Sequence, residues 1–389
     1  MPAERTLAVA QASDATSCDG TLTRLEHALD SMADPASPAD GRTLIGALGE
    51  AGVVADCLSG RDPQQPLRLP LLQSVLGALT GRVSNGAQLA CLLHLSTIAP
   101  LSLRLAGQER SGPLVRGRAT AALAATDSGA AGSDLLGLTT TARRDGDALV
   151  IDGHKSWITG ARWADHFLVL ARHRAGRHFS DFCLVTVPAD ARGVTVEPLD
   201  TPLLDGAGLG SLALDGVRLP AEAMLGRPGR GMVAFTTQMG AERLAGGMWT
   251  AALCRRLLAT AADDASRRQL AGRALWAESV VRQRLGGLLA RVRLLEALVD
   301  DIVTRTSVTG RFPLADAAVV KATVGPLAGE VADTCLHLAG AAGLASDSAL
   351  LRTAQDVRAF AIAGGSTETM LELIAEGLPG ASGREGPRP

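Results

Sequence analysis

The chain is 389 residues long, ample for two or three domains and a large core. Hydrophobic residues make up 47% and charged residues 20%, which excludes disorder, and a net charge of -2 with a pI near 6.4 leaves no basic footprint for nucleic acid. With 4 Trp, 6 Phe and 0 Tyr, the core must rest on Ala, Leu and Val, and recognition by base stacking is excluded too.

Met1 to Gln11 shows no secretory pattern. Residues 1 to about 115 read as helical: Leu22, Leu25 and Leu29 share a face, and Pro35, Pro38 and the segment Gly60 to Pro70 divide the region. The run Leu89 to Leu103 contains His94 and is too short to span a membrane, so no membrane association is expected. From Ala119 the texture turns to short strands: Ala119 to Ala125, Leu138 to Arg144, Ala148 to Thr159, His166 to Arg172, Asp181 to Val187 and Ser211 to Leu219. Regular short strands with Gly, Asp and Pro turns predict a small barrel or sandwich. After Gly231, helical periodicity returns over Met232 to Ala262, Arg273 to Thr306, Ala315 to Leu344 and Leu351 to Gly377. The expected class is α+β multidomain: an N-terminal helical domain (1–117), a middle β-domain (118–229), a C-terminal four-helix bundle (230–378) and a disordered tail (379–389). Blocks in that order exclude a Rossmann fold, which alternates β and α units. Six cysteines lack metal or redox spacing, so no metal site, reduced thiols and a cytoplasmic setting are expected. Of 38 cationic residues only Lys155 and Lys321 are lysines, a bias that, with the Ala and Gly excess, reads as GC-rich coding.

Four segments can carry chemistry. In Thr126 to Asp134, small and hydroxyl residues including Ser133 let backbone N–H groups approach a phosphate or flavin edge; alone, the segment reads better as an ordinary Gly/Ser loop. In Gly153 to Gly160, Trp157 can wall an aromatic cofactor while the Thr159 hydroxyl bonds a ring nitrogen, and a core Trp is an equal alternative. Glu242-Arg243 lies in a helix among Gly240, Ala241, Ala245, Gly246 and Gly247. A carboxylate on a face cleared of bulk has room for a ligand, and helical glycines imply a close approach; an exposed ion pair is the commoner case. Finally, Ala363 to Glu368, with Gly364, Gly365 and Ser366, looks like a loop opening a helix whose N–H groups face an anion or polarised carbonyl, or a plain helix start.

Together, from about residue 40 to 378, these segments resemble the acyl-CoA dehydrogenase family. Its members read a Thr-Glu-Pro-x-x-Gly-Ser-Asp loop, a Gly-x-Lys-x-Trp-Ile-Thr strand, an Arg-x-x-Phe-Gly turn, a Gln-x-x-Gly-Gly loop, and a Glu-Gly-Thr or Gly-Gly-Thr loop. The matching segments are Thr126 to Asp134, Gly153 to Thr159, Arg268 to Gly272, His337 to Ala341 and Gly364 to Ser366. The resemblance implies FAD held non-covalently between β-domain and bundle, in a homotetramer or homodimer. It implies Thr126, Ser133, Trp157 and Thr159 around the flavin, Arg268 reaching a neighbouring subunit's pyrophosphate, and further FAD contacts at His337, Gly340, Gly365 and Ser366. Ser133 and Arg243 fall where substrate is expected.

By the same resemblance, a Glu abstracts the α-proton of an acyl thioester while the β-hydrogen leaves as hydride to flavin. The late-loop position for that Glu is Gly364 here, and the alternative helix position is Glu242, as in the isovaleryl-CoA and long-chain subgroups. The Gly364 N–H remains available to the thioester oxygen. The substrate implied is an acyl-CoA or an acyl-carrier-protein thioester, with an electron-transfer flavoprotein or O2 as acceptor. Departures are Asp127-Ser128 in the first loop, Ala271 for Phe, Ser279 for Gln, His337 for Gln, Ala341 for Gly and Ala363 for an aromatic. They suit a specialised biosynthetic member. A flavin monooxygenase on the same fold and an inactive homologue serving as a partner subunit are the alternatives, and Glu242 counts against both.

Overall fold

The computed structural model describes residues 18–32, 39–60, 66–129, 132–309 and 312–378. The predicted tail at 379–389, the stretch Met1 to Gln11 and Ala130-Ala131 of the first loop lie outside these residues. They form two compact units, one of 18–129 with Leu136–Phe235, the other of 132–135 with 236–378.

The first unit opens on helices α1 (18–31), α2 (Gly41–Glu50), α3 (Val53–Cys57), α4 (Leu69–Leu79), α5 (Asn85–Leu93) and α6 (Ala99–Val115). Their starts follow the capping rules: Asp40 accepts from the Thr43 N–H at 2.9 Å, and Ser84 from the Ala87 N–H at 3.1 Å. A π-turn over His94–Ile98 joins α5 to α6. His94 is buried there, its Nε2 3.1 Å from the Leu114 carbonyl, and burial pushes its pKa down to about 4. The helical run Asn85–Val115, kinked where Gly107 takes φ 79°, is, by length and composition, apolar enough to cross a membrane, which corrects the sequence reading of this region as too short. Of its most apolar window, 67% is buried within the protein, so the run serves as a core element here.

Eight strands follow: β1 (Ala121–Ala124), β2 (Thr141–Asp145), β3 (Ala148–Ile158), β4 (His166–Arg172), β5 (Phe182–Pro188), β6 (Val194–Pro198), β7 (Gly210–Pro220) and β8 (Met224–Leu225). They form one mixed sheet, ordered β6-β7-β3-β2-β4-β5-β8, with β1 parallel to β4. Alternate residues Phe167, Val169 and Ala171 of β4 meet Val185 and Val187 of β5 and Leu212 and Leu214 of β7 in one core. Strands so far apart in the order share a core only because the sheet curls on itself, as a small barrel-like domain requires. The expected strand runs are all present; β6 and β8 were not read from the sequence, being short and half-exposed.

The second unit is helical. Helix α7 (Gly231–Arg267) starts within the first unit and continues into the second. After it come a hairpin, β9 (Gln269–Leu270) with β10 (Arg273–Ala274), then α8 (Ser279–Thr309), α9 (Leu314–Ala339), α10 (Ala349–Asp356) and α11 (Thr367–Ala375). On α8, Val281, Leu285, Leu288, Val292, Leu295, Val299 and Ile302 recur every three or four residues and are all buried, the seam of a bundle helix. Three sequence boundaries move. Arg273 opens a strand rather than a helix, because Ala271 and Gly272, at φ 50° and 79°, close a hairpin. Helix α9 stops at Ala339, since Gly340 takes φ 63°, and a 3-10 turn covers Gly340–Leu344. The last expected helix is divided into α10, a 3-10 turn (Val357–Ala361) and α11 by the positive φ values of Gly364 and Gly365. All six cysteines are unpaired.

Within the first unit, the loop after β1 is fixed by a buried ion pair. Lys155 Nζ lies 2.6 Å from Asp127 Oδ1, with the two side chains 0% and 1% exposed. Lys155 also donates to the Ala125 carbonyl at 2.8 Å, and Asp127 accepts from the Thr140 hydroxyl at 2.7 Å, the Thr140 N–H at 3.0 Å and both donors of Thr139. Burial works against the Asp127 charge, but Lys155 and these donors outweigh it and hold the carboxyl well below the usual range. With the folded pKa depressed, this stabilisation is present above the unfolded value near 4 and is lost as pH falls through the folded one. Asp127→Asn leaves Lys155 buried without a counter-charge, and denaturant titration should show a loss of about 3–5 kcal/mol. Removing the Arg143 side chain from the exposed Arg143–Asp152 pair should cost less than about 1 kcal/mol.

Candidate active site

In the first unit, the site residues gather around Lys155. The Ser156 N–H donates to the Thr126 carbonyl at 3.1 Å and the Ser128 N–H to the His154 carbonyl at 3.0 Å, tying the first loop to β3. Between Lys155 and Ile158 the pairing of β3 with β7 slips, and Trp157 takes φ 57°. A positive φ on a bulky residue is a true outlier, and a bulge of this kind re-aims a side chain. Here it turns Trp157 outward, 62% exposed, beside half-buried Thr159. A flat indole facing out of a rigid strand, next to a hydroxyl, suits a planar heteroaromatic ring. Ser133 is exposed and belongs to the other unit.

In the second unit the structure brings Glu242, Arg243, Gly364 and Gly365 together. Gly364 has φ 74°, and a Cβ placed on it would lie 3.1 Å from Glu242 Oε1 and 3.7 Å from both Lys321 Cε and Met239 Cε. The carboxylate of Glu242 therefore faces the position that a side chain at residue 364 would enter. Arg243 Nε donates to the Gly364 carbonyl at 3.1 Å, so the expected substrate residue braces the loop. Burial pushes the Arg243 guanidinium down, with Glu242 opposing. Ser366 caps α11: its hydroxyl lies 3.0 Å from the Thr369 hydroxyl and accepts from the Thr369 N–H at 3.3 Å.

A third group lies at the end of α9. Arg268 donates to the Leu338 carbonyl and sits 3.4 Å from where a Cβ of Gly340 would be, so Arg268 and Gly340 meet within one chain. His337 lines a cavity of about 560 Å³ with Arg284, Thr334, Arg358, Thr367 and Glu368. Glu330 and Asp333 line it as well, and Arg358 is paired with Asp333, so the cavity carries both signs of charge.

Sequence reasoning missed two participants. Lys321, on α9, is 5% exposed, and its Nζ donates to the Phe360 carbonyl at the entrance to the Gly364 loop. Lys155 was read only as part of a motif. One signal marks both: they are the two lysines in a chain that otherwise uses arginine.

Residues 122–217 match the acyl-CoA dehydrogenase middle domain and residues 229–378 the acyl-CoA dehydrogenase C-terminal domain. An acyl-[acyl-carrier-protein] dehydrogenase, MbtN, from Mycobacterium tuberculosis (strain CDC 1551 / Oshkosh) is 31% identical over 355 residues, covering 87% of this chain and 86% of that protein. The chain belongs to the acyl-CoA dehydrogenase family. This is a family of oxidoreductases acting on CH–CH bonds, and the rat mitochondrial long-chain specific acyl-CoA dehydrogenase is 28% identical over 67% of the chain and 61% of its own length. Among solved structures, the prolyl acyl carrier protein oxidase AnaB has a TM-score of 0.83 at 22% identity, covering 92% of this chain and 98% of its own. Glutaryl-CoA dehydrogenase from Mycobacterium smegmatis, in complex with FADH2, has a TM-score of 0.82 at 20% identity, covering 96% of each chain. These structures share the acyl-CoA dehydrogenase fold.

The helical glycines beside Glu242 have a packing explanation. A Cβ on Gly247 would meet Val320 Cγ1 of α9 at 2.3 Å and Val299 Cγ2 of α8 at 3.2 Å, so α7 approaches both helices there; Gly246 has open space. The close approach expected from the sequence is thus made by neighbouring helices. Gly247→Ala should destabilise the protein by about 1–3 kcal/mol through overpacking. Gly246→Ala should stabilise it by about 0.5–1 kcal/mol through helix propensity. Urea titration of the two variants reads both signs.

Proposed function

We propose that this member of the family is an FAD-dependent dehydrogenase that desaturates an acyl thioester between its α and β carbons, with Glu242 as the base. The observation that carries this reading is that the Glu242 carboxylate lies 3.1 Å from the place a Cβ of residue 364 would take. In this family, as the resemblance implies, the base stands either at the late-loop position or on this helix. Gly364 has no side chain to act, and the carboxylate of Glu242 fills the space one would need.

The residues present fit the cofactor: Trp157 and Thr159 offer a ring platform and a hydroxyl, and Arg268 stands beside Gly340, the two positions where the resemblance implies contacts to FAD. FAD, when bound, supplies an acceptor for the β-hydrogen as hydride. Glu242 takes the α-proton and becomes a carboxylic acid, and the electron pair of that C–H bond forms the double bond as the β-hydrogen leaves. The Gly364 N–H is positioned by a loop whose carbonyl Arg243 already holds, and it donates to the thioester oxygen as negative charge develops there. Ser133 and Arg243 stand at the substrate side.

A carrier-protein thioester is the preferred substrate, supported by the likeness to MbtN over most of both chains. The acceptor is an electron-transfer flavoprotein or O2, and the working assembly is a homotetramer or homodimer in the cytoplasm, in a biosynthetic pathway. Anaerobic titration of the purified protein with acyl-CoA and acyl-carrier thioesters, following flavin bleaching, tests the activity and ranks the carriers. Glu242→Gln should retain FAD and lose bleaching at least 1000-fold, on the order expected for removing a catalytic base. Bleaching at the wild-type rate would sink the assignment.

A further inference from the structure

Lys321 is a buried cation to which the proposed reaction assigns nothing. It lies on the face of α9 that also carries Gly325, one turn later. A Cβ on Gly325 would meet the Ala361 α-carbon at 2.5 Å, and Lys321 Nζ donates to the carbonyl of Phe360. The Val357–Ala361 turn is therefore seated on α9 at two adjacent points. Three residues after Ala361 the chain reaches Gly364, whose carbonyl is held by Arg243 from α7. The loop is fixed at entry and exit, and Glu242 Oε1 and Lys321 Cε lie 3.1 and 3.7 Å from the same point, where a Cβ of residue 364 would stand.

We propose that Lys321 is the positioning residue of Glu242: its ammonium, tethered to the Phe360 carbonyl, keeps the carboxylate ionised and the Gly364 loop seated against it. This rests on Glu242 being the base. A carboxylate partly withdrawn from water is otherwise driven toward its protonated form, which cannot take a proton, and a nearby cation reverses that drift. A lysine does this with a compact charge at the end of an apolar stem, which the seam between α7 and α9 can enclose; a guanidinium is wider and forked.

The charged groups facing Lys321 are Glu242 and Arg243 from α7 and Glu368 from α11. Burial pushes its pKa down to about 8; Glu242 pulls it up, Arg243 pushes it down and Glu368 pulls it up. The other carboxylates of α9 are engaged elsewhere, Asp333 with Arg358 and Glu330 with Arg291 from α8, while Asp316 pairs with Arg305. The coupling between Lys321 and Glu242 is thus the favourable interaction that most opposes the burial of the ammonium.

The composition supplies the experiment. With two lysines in the chain, a holoenzyme carrying 13C at lysine Cε gives two side-chain resonances, assigned by the loss of one in Lys321→Arg. In Glu242→Gln the Lys321 midpoint should fall by about one pH unit while that of Lys155 stays fixed. An unmoved Lys321 midpoint overturns the proposal. Lys321→Gln keeps a donor for Phe360 and removes the charge. Its acidic limb for α-proton exchange of an acyl thioester into D2O should move up by about one pH unit. A rate lowered equally at every pH, with the limb unmoved, makes Lys321 a tether only and overturns the electrostatic role. Should Glu242→Gln exchange the α-proton at the wild-type rate, the base assignment itself fails, an outcome separate from either result on Lys321.

Discussion

The burial of a lone ammonium that must find its partners inside the protein is the constraint that recurs in both units. In the first unit, Lys155 and Asp127 are removed from water, and further hydrogen bonds offset the cost: Lys155 also donates to Ala125, and Asp127 accepts from Thr139 and Thr140. In the second, Lys321 is similarly enclosed and reaches the Phe360 carbonyl. Each anchors a loop whose backbone would otherwise choose among several conformations. The first fixes the strand end that turns Trp157 out, and the second fixes the turn that presents the α-carbon of Gly364 to Glu242. Elsewhere the chain uses arginine, which suits surface pairs such as Arg82 with Glu26 and Asp30, where a planar fork meets carboxylates in water.

The second half also shows how a missing side chain can define a site. At φ 74°, a residue with a Cβ would be strained at 364, and its Cβ would press on the Glu242 carboxylate. Glycine there and glutamate at 242 are one packing solution rather than two independent choices. Arg243, next along α7, binds the carbonyl of the same glycine, so adjacent residues on one helix place a negative group and a positive group on the two sides of a single peptide.

Much of this was legible in the chain. Periodicity separated helices from strands because α8 repeats its buried residues at helical spacing and β4 alternates cleanly, so each element's own burial pattern carries its type. Where the chain is turned by backbone angles instead of side-chain pattern, sequence reasoning loses the thread. Ala271 adopts φ 50° in the β9–β10 hairpin although alanine carries no turn signal, so the region reads as helix. Glycines gave a signal with the wrong cause: Gly247 makes room for Val320 and Val299, and nothing in a single sequence distinguishes a neighbouring helix from a ligand. The site residues were found by segment, but their partners were not. Glu242 is four residues from Gly246 in sequence and over a hundred from Gly364, and it is the distant glycine whose missing side chain its carboxylate faces.

The poverty in aromatic residues acquires meaning from where the few tryptophans lie. Trp249 is enclosed, its ring centroid 4.6 Å from that of Phe360, and it braces the turn whose carbonyl Lys321 holds. Trp157 is the opposite case, held at a strained angle and left facing outward. A chain that builds its core from Ala, Leu and Val has little to gain from a large ring on its surface, and strain at a bulky residue persists only where surrounding structure over-determines it. Here the over-determination is visible: the buried pair two residues earlier and the slipped ladder fix the backbone on either side. Trp249 thus supports from within the turn that leads to the Gly364 loop, and Trp157 is held outward by its bulge.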